Sequence, residues 1–302
     1  MSGLPSALSD PIRAALASLG DSTAIRSAQL LGGGCINNAM RLETEKRPYL
    51  LKWNAEPLPG MFSSEARGLE LLAATQTVRV PAVLTVQETS AGQPVFLLLE
   101  WLEGSRGADQ GRLGEQLANL HRVGGSPQSS PAYGLDHGNY IGSTPQHNGW
   151  ENDWAVFFAN WRLRPQMELA ANNHRLPAQR RQRLERLIER LPALLGGAVY
   201  RPSLIHGDLW SGNMIPGPDG LALIDPAVSY SDREAELAYT GLFGGFSPRF
   251  YAAYQQNWPM DPGYPERADL YNLYHLLNHL NLFGESYGGQ VDSILRYYTS
   301  HT

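Results

Sequence analysis

His206-Gly207-Asp208-Leu209-Trp210-Ser211-Gly212-Asn213, followed by Ile224-Asp225-Pro226, is the stretch whose reading decides the fold. It sets two carboxylates and an amide at spacings that suit phosphoryl transfer. In such a site one acid faces the acceptor hydroxyl, while an amide oxygen and a second acid hold magnesium against the phosphates of ATP. Asp208 takes the first role, orienting the hydroxyl and accepting its proton as the bond to phosphorus forms. Asn213 offers the ion a neutral oxygen, and Asp225 the hard anionic one that magnesium prefers. Between them, Met214-Ile215 and Leu221-Ile224 flank Gly217-Pro218-Asp219-Gly220, a hairpin-type turn expected to return residue 225 to the side of residue 213. His-Gly-Asp alone would fit a plain loop with an Asx-turn. The register of all the parts argues against that.

Upstream, Leu8, Ile12, Leu16 and Leu19 form one helical stripe over Pro5 to Leu19, ended by Gly20. Ser27-Leu31, Ala39-Thr44 and Tyr49-Lys52 read as strands. Ser63 reads as the cap of a helix running to about Ala74, and Val83-Gln87 with Val95-Glu100 as a hairpin across Ser90-Ala91-Gly92-Gln93. Lys52 closes the third strand and Glu65 lies in the first turns of the helix. A lysine there reaches the α and β phosphates, and the carboxylate holds it in place; Glu70 is the less favoured partner. Gly32, Gly33, Gly34, Cys35, Ile36, Asn37 and Asn38 lie between the first two strands. Three of these residues lack a Cβ, so backbone amides can approach phosphate. The loop matches neither G-x-x-x-x-G-K-[ST] nor G-x-G-x-x-G, and its place carries the reading more than its letters. Glu100, Trp101 and Leu102 form the segment expected to meet adenine through backbone groups, with core as the lesser reading of Trp101. Cys35, the single cysteine, reads either as a small buried hydrophobe or as a thiol activated by nearby amides and cations.

Leu102-Glu103-Gly104 reads as a linker, and Leu113, Leu117 and Leu120 mark a helix beyond it. Ser126 to Gly149 is an excursion rich in Gly, Pro, Ser and Asn. Trp154, Phe157, Phe158 and Trp161 recur at helical spacing, and another helix covers about Ala178 to Leu195. Arg180, Arg181, Arg183, Arg186 and Arg190, interleaved with Glu185 and Glu189, read as a solvated helix face. The chain is mostly helical from Arg233 onward. The expected fold is therefore α+β and two-lobed. A small lobe, 1–101, carries an antiparallel sheet and a helix and binds nucleotide phosphates. A larger, mainly helical lobe, 102–302, carries the catalytic loop and acceptor-binding helices. With 302 residues and a net charge of -5, the chain suits a globular protein without a broad nucleic-acid footprint. One cysteine excludes an intrachain disulfide, no segment reads as a membrane span or signal peptide, and a cytoplasmic setting is expected.

The order strand-strand-strand-helix-strand-strand is that of a kinase N-lobe, and the chain as a whole resembles the fructosamine/ketosamine-3-kinase family. That family sits within the aminoglycoside-phosphotransferase-like, protein-kinase-like kinases. The resemblance rests on Gly32 to Asn37, Phe62-Ser63-Ser64-Glu65-Ala66 and His206 to Asn213. It also rests on Asn139-Tyr140-Ile141-Gly142 with Gln146, Asn148 and Trp150, on Asp153-Trp154 and on Arg162-Leu163. Asp225-Pro226-Ala227, Asp232 to Glu236, Leu242 to Phe246 and Leu270 to His279 complete it. It implies ATP- and Mg2+-dependent phosphorylation of the 3-hydroxyl of a ketosamine, either a small molecule or an adduct on a protein. Ribulosamine and erythrulosamine are implied ahead of fructosamine. The 3-phosphate breaks down and releases the amine, which is deglycation. The resemblance also implies Asp208 as base, Asn213 and Asp225 on magnesium, and Lys52 with Glu65 as the phosphate anchor. For Cys35 it implies redox-sensitive dimerisation, leaving monomer or redox-sensitive homodimer as the expectation. Ser231 stands where the family commonly has glycine.

Trp210 offers the acceptor a flat wall with cation–π capacity. Asp232 and Glu234 are candidates for its amine or hydroxyls, although Asp232 equally suits a helix cap. Trp154, Phe157 and Trp161 read as helix packing, and His275 with His279 as polar packing rather than a metal pair. His206 is expected to organise the loop through the backbone. The rival readings are a small-molecule kinase of the aminoglycoside, choline or homoserine type, a Ser/Thr protein kinase, and a non-catalytic nucleotide sensor. The protein kinase is disfavoured by the short interval from Asp225 to Asp232. The sensor is disfavoured because every reacting position is filled.

Overall fold

Pro48–Asn54, Pro-Tyr-Leu-Leu-Lys-Trp-Asn, forms the central strand of the N-terminal half. The computed structural model describes residues 3–32, 37–88, 94–104, 107, 109–127, 132–196, 200–217 and 220–300. In it, β1 (Ile25–Leu30), β2 (Asn38–Thr44), β3 (Pro48–Asn54), β4 (Val83–Gln87) and β5 (Val95–Glu100) make one antiparallel sheet of order β1-β2-β3-β5-β4. The central strands β3 and β5 are buried along most of their length, so they read as near-continuous apolar runs rather than alternating ones.

Alternation still sorts their side chains between two faces. On one face Tyr49, Leu51, Phe96 and Leu98 pack with Met40 and Leu42 against Leu8, Ile12 and Leu16 of α1 (Ser6–Ser18). Leu50 and Lys52 alternate to the other face. There α2 (Met61–Ala74) packs on β4 and β5 and buries Phe62, Ala66, Leu69 and Leu72. Ser63 is not the cap of this helix. Gly60, in the left-handed region at φ 66°, turns the chain into it, and the free Ser63 amide donates to the Glu88 carboxylate at 2.8 Å. A carboxylate from beyond β4 thus satisfies the helix start in place of a local side chain.

The chain divides into two compact units, Met1–Ala108 with Ile215–Asp225, and Asp109–Met214 with Pro226–Thr302. The boundary expected near residue 101 therefore falls later, and the segment before Asp225 groups with the N-terminal unit. The reason is local. β9 (Met214–Gly217) and β10 (Gly220–Leu223) form a two-stranded sheet. The Leu223 amide donates to the Arg79 carbonyl at 2.8 Å, which ties β10 to the first unit.

In the second unit, α3 (Gln110–Val123) starts at Asp109, whose side chain accepts from the Gly111 amide. The helix crosses α8 (Pro248–Asn257) closely: a Cβ on Gly114 would lie 2.2 Å from the Phe250 carbonyl oxygen. The long α9 (Tyr264–Phe283) is buried on nearly all sides from Leu270 to Asn281. Around it pack Trp154, Phe157 and Phe158, Leu184, Leu187 and Leu191 of α6 (Ala178–Leu194), and Leu295 of α10 (Gly288–Ser300). The aromatic run is not one regular helix. α4 (Trp154–Phe157) passes through a π-helical stretch, Phe158–Leu163, into α5 (Arg164–Asn172). Arg180 also departs from expectation. Its side chain is buried and pairs with Glu285 at 2.5 Å and Asp292 at 2.9 Å, fixing α6 to the start of α10.

The excursion is ordered where described. β6 (Asn139–Ile141) pairs antiparallel with β7 (Thr144–Gln146). β8 (Ser203–Ile205) pairs antiparallel with β11 (Ser229–Ser231), and the loop from His206 to Asn213 follows β8. The loop after β11 enters α7 (Arg233–Leu242). Among the described residues no helix is long and apolar enough to cross a membrane.

Candidate active site

In the N-terminal unit, Lys52 follows from strand alternation and Glu65 from helical spacing. Glu65 stands three residues after Phe62 and four before Leu69, on the face of α2 that meets the sheet. Its carboxylate takes the Lys52 ammonium at 2.6 Å. Glu70 is exposed and plays no part. The same ammonium hydrogen-bonds Asp225. Burial by itself would lower the Lys52 pKa, but Asp225 and then Glu65 outweigh it and hold the lysine above its ordinary range. Lys52 is therefore a fixed positive charge. Asp225 itself sits at φ 57°, a left-handed conformation that Asp reaches more readily than most residues. Its side chain is 45% exposed, so the carboxylate is accessible.

In the second unit, the loop after β8 is anchored by a residue that sequence reasoning missed. Glu236 of α7 accepts from the His206 amide at 3.1 Å and the Gly207 amide at 2.7 Å. It also meets His121 Nε2 of α3 at 2.9 Å. Burial would raise its pKa, yet these donors outweigh burial and hold it below the usual carboxylate range. The His206 ring meets the loop backbone, as expected: its Nδ1 accepts from the Asp208 amide at 3.3 Å. Gly207 is required here on two counts, a φ of +82° and a backbone crossing that would put a Cβ 2.0 Å from the Ala227 oxygen.

Asn213 turns its amide nitrogen to the Asp208 carbonyl at 2.8 Å and to Asp208 Oδ2 at 3.1 Å. That leaves its oxygen as the end free to meet a cation, as a magnesium ligand requires. Tyr239 of α7 is buried and stacks face to face on His275 of α9, with ring centroids 3.5 Å apart. Trp210 is 40% exposed and lies over Gly212, where a Cβ would come within 2.2 Å of its ring. It can serve as the wall expected of it.

Asp232 and Glu234 are placed otherwise than as substrate contacts. Asp232 caps α7, accepting from the Glu234 amide at 2.8 Å. Burial, then the Glu234 charge, pushes its carboxyl up to about 8. Glu234 is buried in a two-pronged pair with Arg267, both contacts at 2.7 Å. Trp101 is not core: it is part-exposed, donates to Glu103 at 2.8 Å and lies under the Arg41 guanidinium. Glu100 uses its carboxylate on Arg79 at 2.5 Å, while Leu102 is part-exposed. Asn37 accepts from Asn54 at 3.1 Å, Asn38 opens β2, and a side chain at Gly32 would meet nothing within 4 Å. Gly33, Gly34, Cys35 and Ile36 lie outside the described residues, as do the turn positions Pro218 and Asp219 and the Ser90–Gln93 hairpin turn.

The Asn139, Gln146, Asn148 and Arg162 group proves to be a clamp. Asn139 donates to the Val228 carbonyl at 2.8 Å and Gln146 to the Ala227 carbonyl at 3.2 Å. Tyr274 fixes Gln146 at 2.6 Å, and Arg162 fixes Asn148 at 2.9 Å. The excursion thereby holds the backbone that follows Asp225-Pro226. Arg162 is buried without a carboxylate partner among the described residues, and burial lowers it to about 10.

A lysine–glutamate pair on the sheet unit, and an Asp208–Asn213 loop on a helical unit, define a nucleotide-dependent phosphotransferase of protein-kinase-like fold. The chain belongs to the fructosamine kinase family, whose model matches residues 9–301. It is 43% identical over 264 residues to an Enterococcus faecium protein named "Probable ketoamine kinase", covering 87% of this chain and 92% of the relative. It is 40% identical over 288 residues to a chloroplastic protein-ribulosamine 3-kinase of Oryza sativa subsp. indica, covering 95% and 82%. Among solved structures, a chain from Haemophilus somnus named for fructosamine-3-kinase matches with TM-score 0.84 at 29% identity, over 95% of this chain and 96% of that one. An aminoglycoside phosphotransferase in ternary complex with AMP-PNP and hygromycin B matches with TM-score 0.62 at 15% identity, covering 92% and 96%; that likeness concerns the fold alone.

Proposed function

We propose that the protein is an ATP-dependent ketosamine 3-kinase. It transfers the γ-phosphoryl group of ATP to the 3-hydroxyl of ribulosamine and erythrulosamine adducts, and to fructosamine more weakly. The acceptors are carried on small amines or on proteins, and the labile 3-phosphate leads to deglycation. The relatives' names and the family match support the reaction. The single structural observation that carries it is the Asp208 carboxylate, presented by a loop whose backbone Glu236 anchors and whose Asn213 side chain is hydrogen-bonded to it.

In this reading Asp208 orients the substrate hydroxyl and takes its proton as oxygen bonds to phosphorus and the bond to ADP breaks. Lys52, held by Glu65, meets the α and β phosphates, with Gly32 to Asn38 as further candidates for phosphate contact and Glu100 to Leu102 at the adenine. Asn213 and Asp225 supply the oxygen donors that fit magnesium, which when bound would neutralise charge on the phosphates. Trp210 flanks the acceptor. Magnesium-dependent ATP consumption with a panel of ribulosamine, erythrulosamine and fructosamine acceptors, followed by locating the new phosphate, tests it. Phosphate on O3 of a ketosamine is expected. Turnover confined to aminoglycosides, choline or homoserine would overturn the assignment.

A further inference from the structure

His279 of α9 stands at the centre of an aromatic group in the second unit. The Phe243 ring, just past the end of α7, lies 4.9 Å from it between centroids, Tyr287 5.1 Å and Phe283 5.5 Å. Phe243 and Phe283 are 42% and 55% exposed, and the other two are part-exposed. Large apolar side chains gathered at a surface mark an interaction site in a way that scattered ones do not. The His279 Nδ1 hydrogen-bonds the His275 carbonyl at 2.8 Å. A carbonyl only accepts, so Nδ1 carries the proton and Nε2 is left as an acceptor. That acceptor has no hydrogen-bond partner among the described residues. We propose that Phe243, His279, Phe283 and Tyr287 form the subsite for the protonated secondary amine of the ketosamine. The rings face the charge, and His279 Nε2 accepts one of its hydrogens. The inference deepens the ketosamine reading and rests on it.

The group adjoins the loop that carries Asp208. Gly245, two residues beyond Phe243, lies so close to Ser211 that a Cβ there would come within 2.4 Å of the Ser211 Cβ. Phe243 also meets Tyr239 edge-on at 6.0 Å, and Tyr239 borders one small cavity with Gly207, the residue before Asp208. In a ketosamine only C1, C2 and C3 separate the amine from O3, so a sugar held at Asp208 keeps its amine beside that loop. Carboxylates that could meet this charge are already engaged. Glu236 is taken by two amides and His121, Glu234 by Arg267, and Glu285, beside Tyr287, by Arg180. The aromatic faces are not: among the described residues no Lys or Arg lies over any of the four rings. Burial outweighs the bond to His275 and holds His279 below the usual imidazole range, so the ring offers a cation no competing charge.

The test compares the ribulosamine of a simple alkylamine with the ether in which oxygen replaces that nitrogen. His279→Phe keeps a ring and removes the acceptor, while Phe283→Leu removes one aromatic face at an exposed position. Each should lower kcat/KM for the amine about two- to thirtyfold, the range of a cation–π or similar contact. Each should leave kcat/KM for the ether and KM for ATP at their wild-type values. Undiminished kcat/KM for the amine would overturn the proposal. So would equal losses on amine and ether, which would assign the rings to packing. A wild-type dimer in sedimentation that Phe283→Leu dissociates would make the group a face between copies, and would overturn it too. Wild-type turnover on no ketosamine would overturn the ketosamine reading and this inference with it. If wild type phosphorylates ketosamines and both variants match it, only this inference fails.

Discussion

Asp208 and Lys52 are held in place by contacts of different kinds. The Asp208 loop hangs from Glu236, a buried carboxylate whose acceptors are taken up by two backbone amides and His121. No group in that network has to let go for an acceptor to arrive. Lys52 instead sits between Glu65 and Asp225, and Asp225 is accessible and expected to take a metal ion. The nucleotide's phosphates and magnesium would exchange for that ion pair. On the proposed function, one half of the machinery is set before substrate binds, while the other is charge-balanced by a pair that binding would rearrange. Substitutions in the first should act on turnover and stability, and in the second on nucleotide affinity.

The largest effect should come from Asp208→Asn. Removing a general base costs about 10²–10⁴-fold in kcat, with ATP affinity intact by direct binding measurement. Lys52→Met comes next, with kcat/KM for ATP down by roughly a hundredfold and KM for ATP raised, as expected when a charge-assisted phosphate contact is lost. If Lys52→Met changed kcat alone, the contrast between the halves would collapse. Glu236→Gln should cost about 2–3 kcal/mol of stability by denaturant unfolding, because it weakens a buried charged network. It should also lower kcat without changing KM for ATP. A variant of full stability and reduced ATP affinity would move Glu236 out of the loop anchor.

The smallest effect concerns Asp232, and its sign can be worked out. Its folded pKa, about 8, lies above the usual carboxylate value, so the folded state binds this proton more tightly than the unfolded chain. Stability from this group is fully present below about pH 4 and is lost as pH rises towards 8. Asp232→Asn keeps an acceptor for the Glu234 amide and removes the titration. Its melting temperature should therefore gain on wild type as pH goes from 5 to 8. Asp232→Ala, which also loses the cap, should be less stable than Asp232→Asn at every pH, by about 1 kcal/mol. Parallel melting curves for Asp232→Asn and wild type across that range would refute the raised carboxyl.

Strands β4 and β5 were legible because their apolar runs are bounded by turn residues. Helix α1 was legible because Leu8, Ile12 and Leu16 repeat at helical period. The Lys52–Glu65 pairing was legible from its place in the element order, a strand lysine followed by an acid early in the next helix, more than from the two residues alone. The three-residue strands β8 and β11 were not, being too short to show any period. The start of α2 was misread because its cap comes from Glu88, beyond the next strand. The π-helical stretch left no mark in a sequence whose aromatics fit an ordinary helix equally well.

From its sequence alone this chain declares candidates for the groups that react, the element order of its N-terminal sheet, and the family to which it belongs. Each of these depends on residue type and short-range spacing. Only the tertiary structure decided which polar residues support those groups. Glu236 and His121 meet across the second unit, Tyr239 stacks on His275, and Glu234 is taken by Arg267. The reason is physical. A buried polar group must find its partner wherever the packed chain brings one, and that partner's distance along the sequence carries no signal.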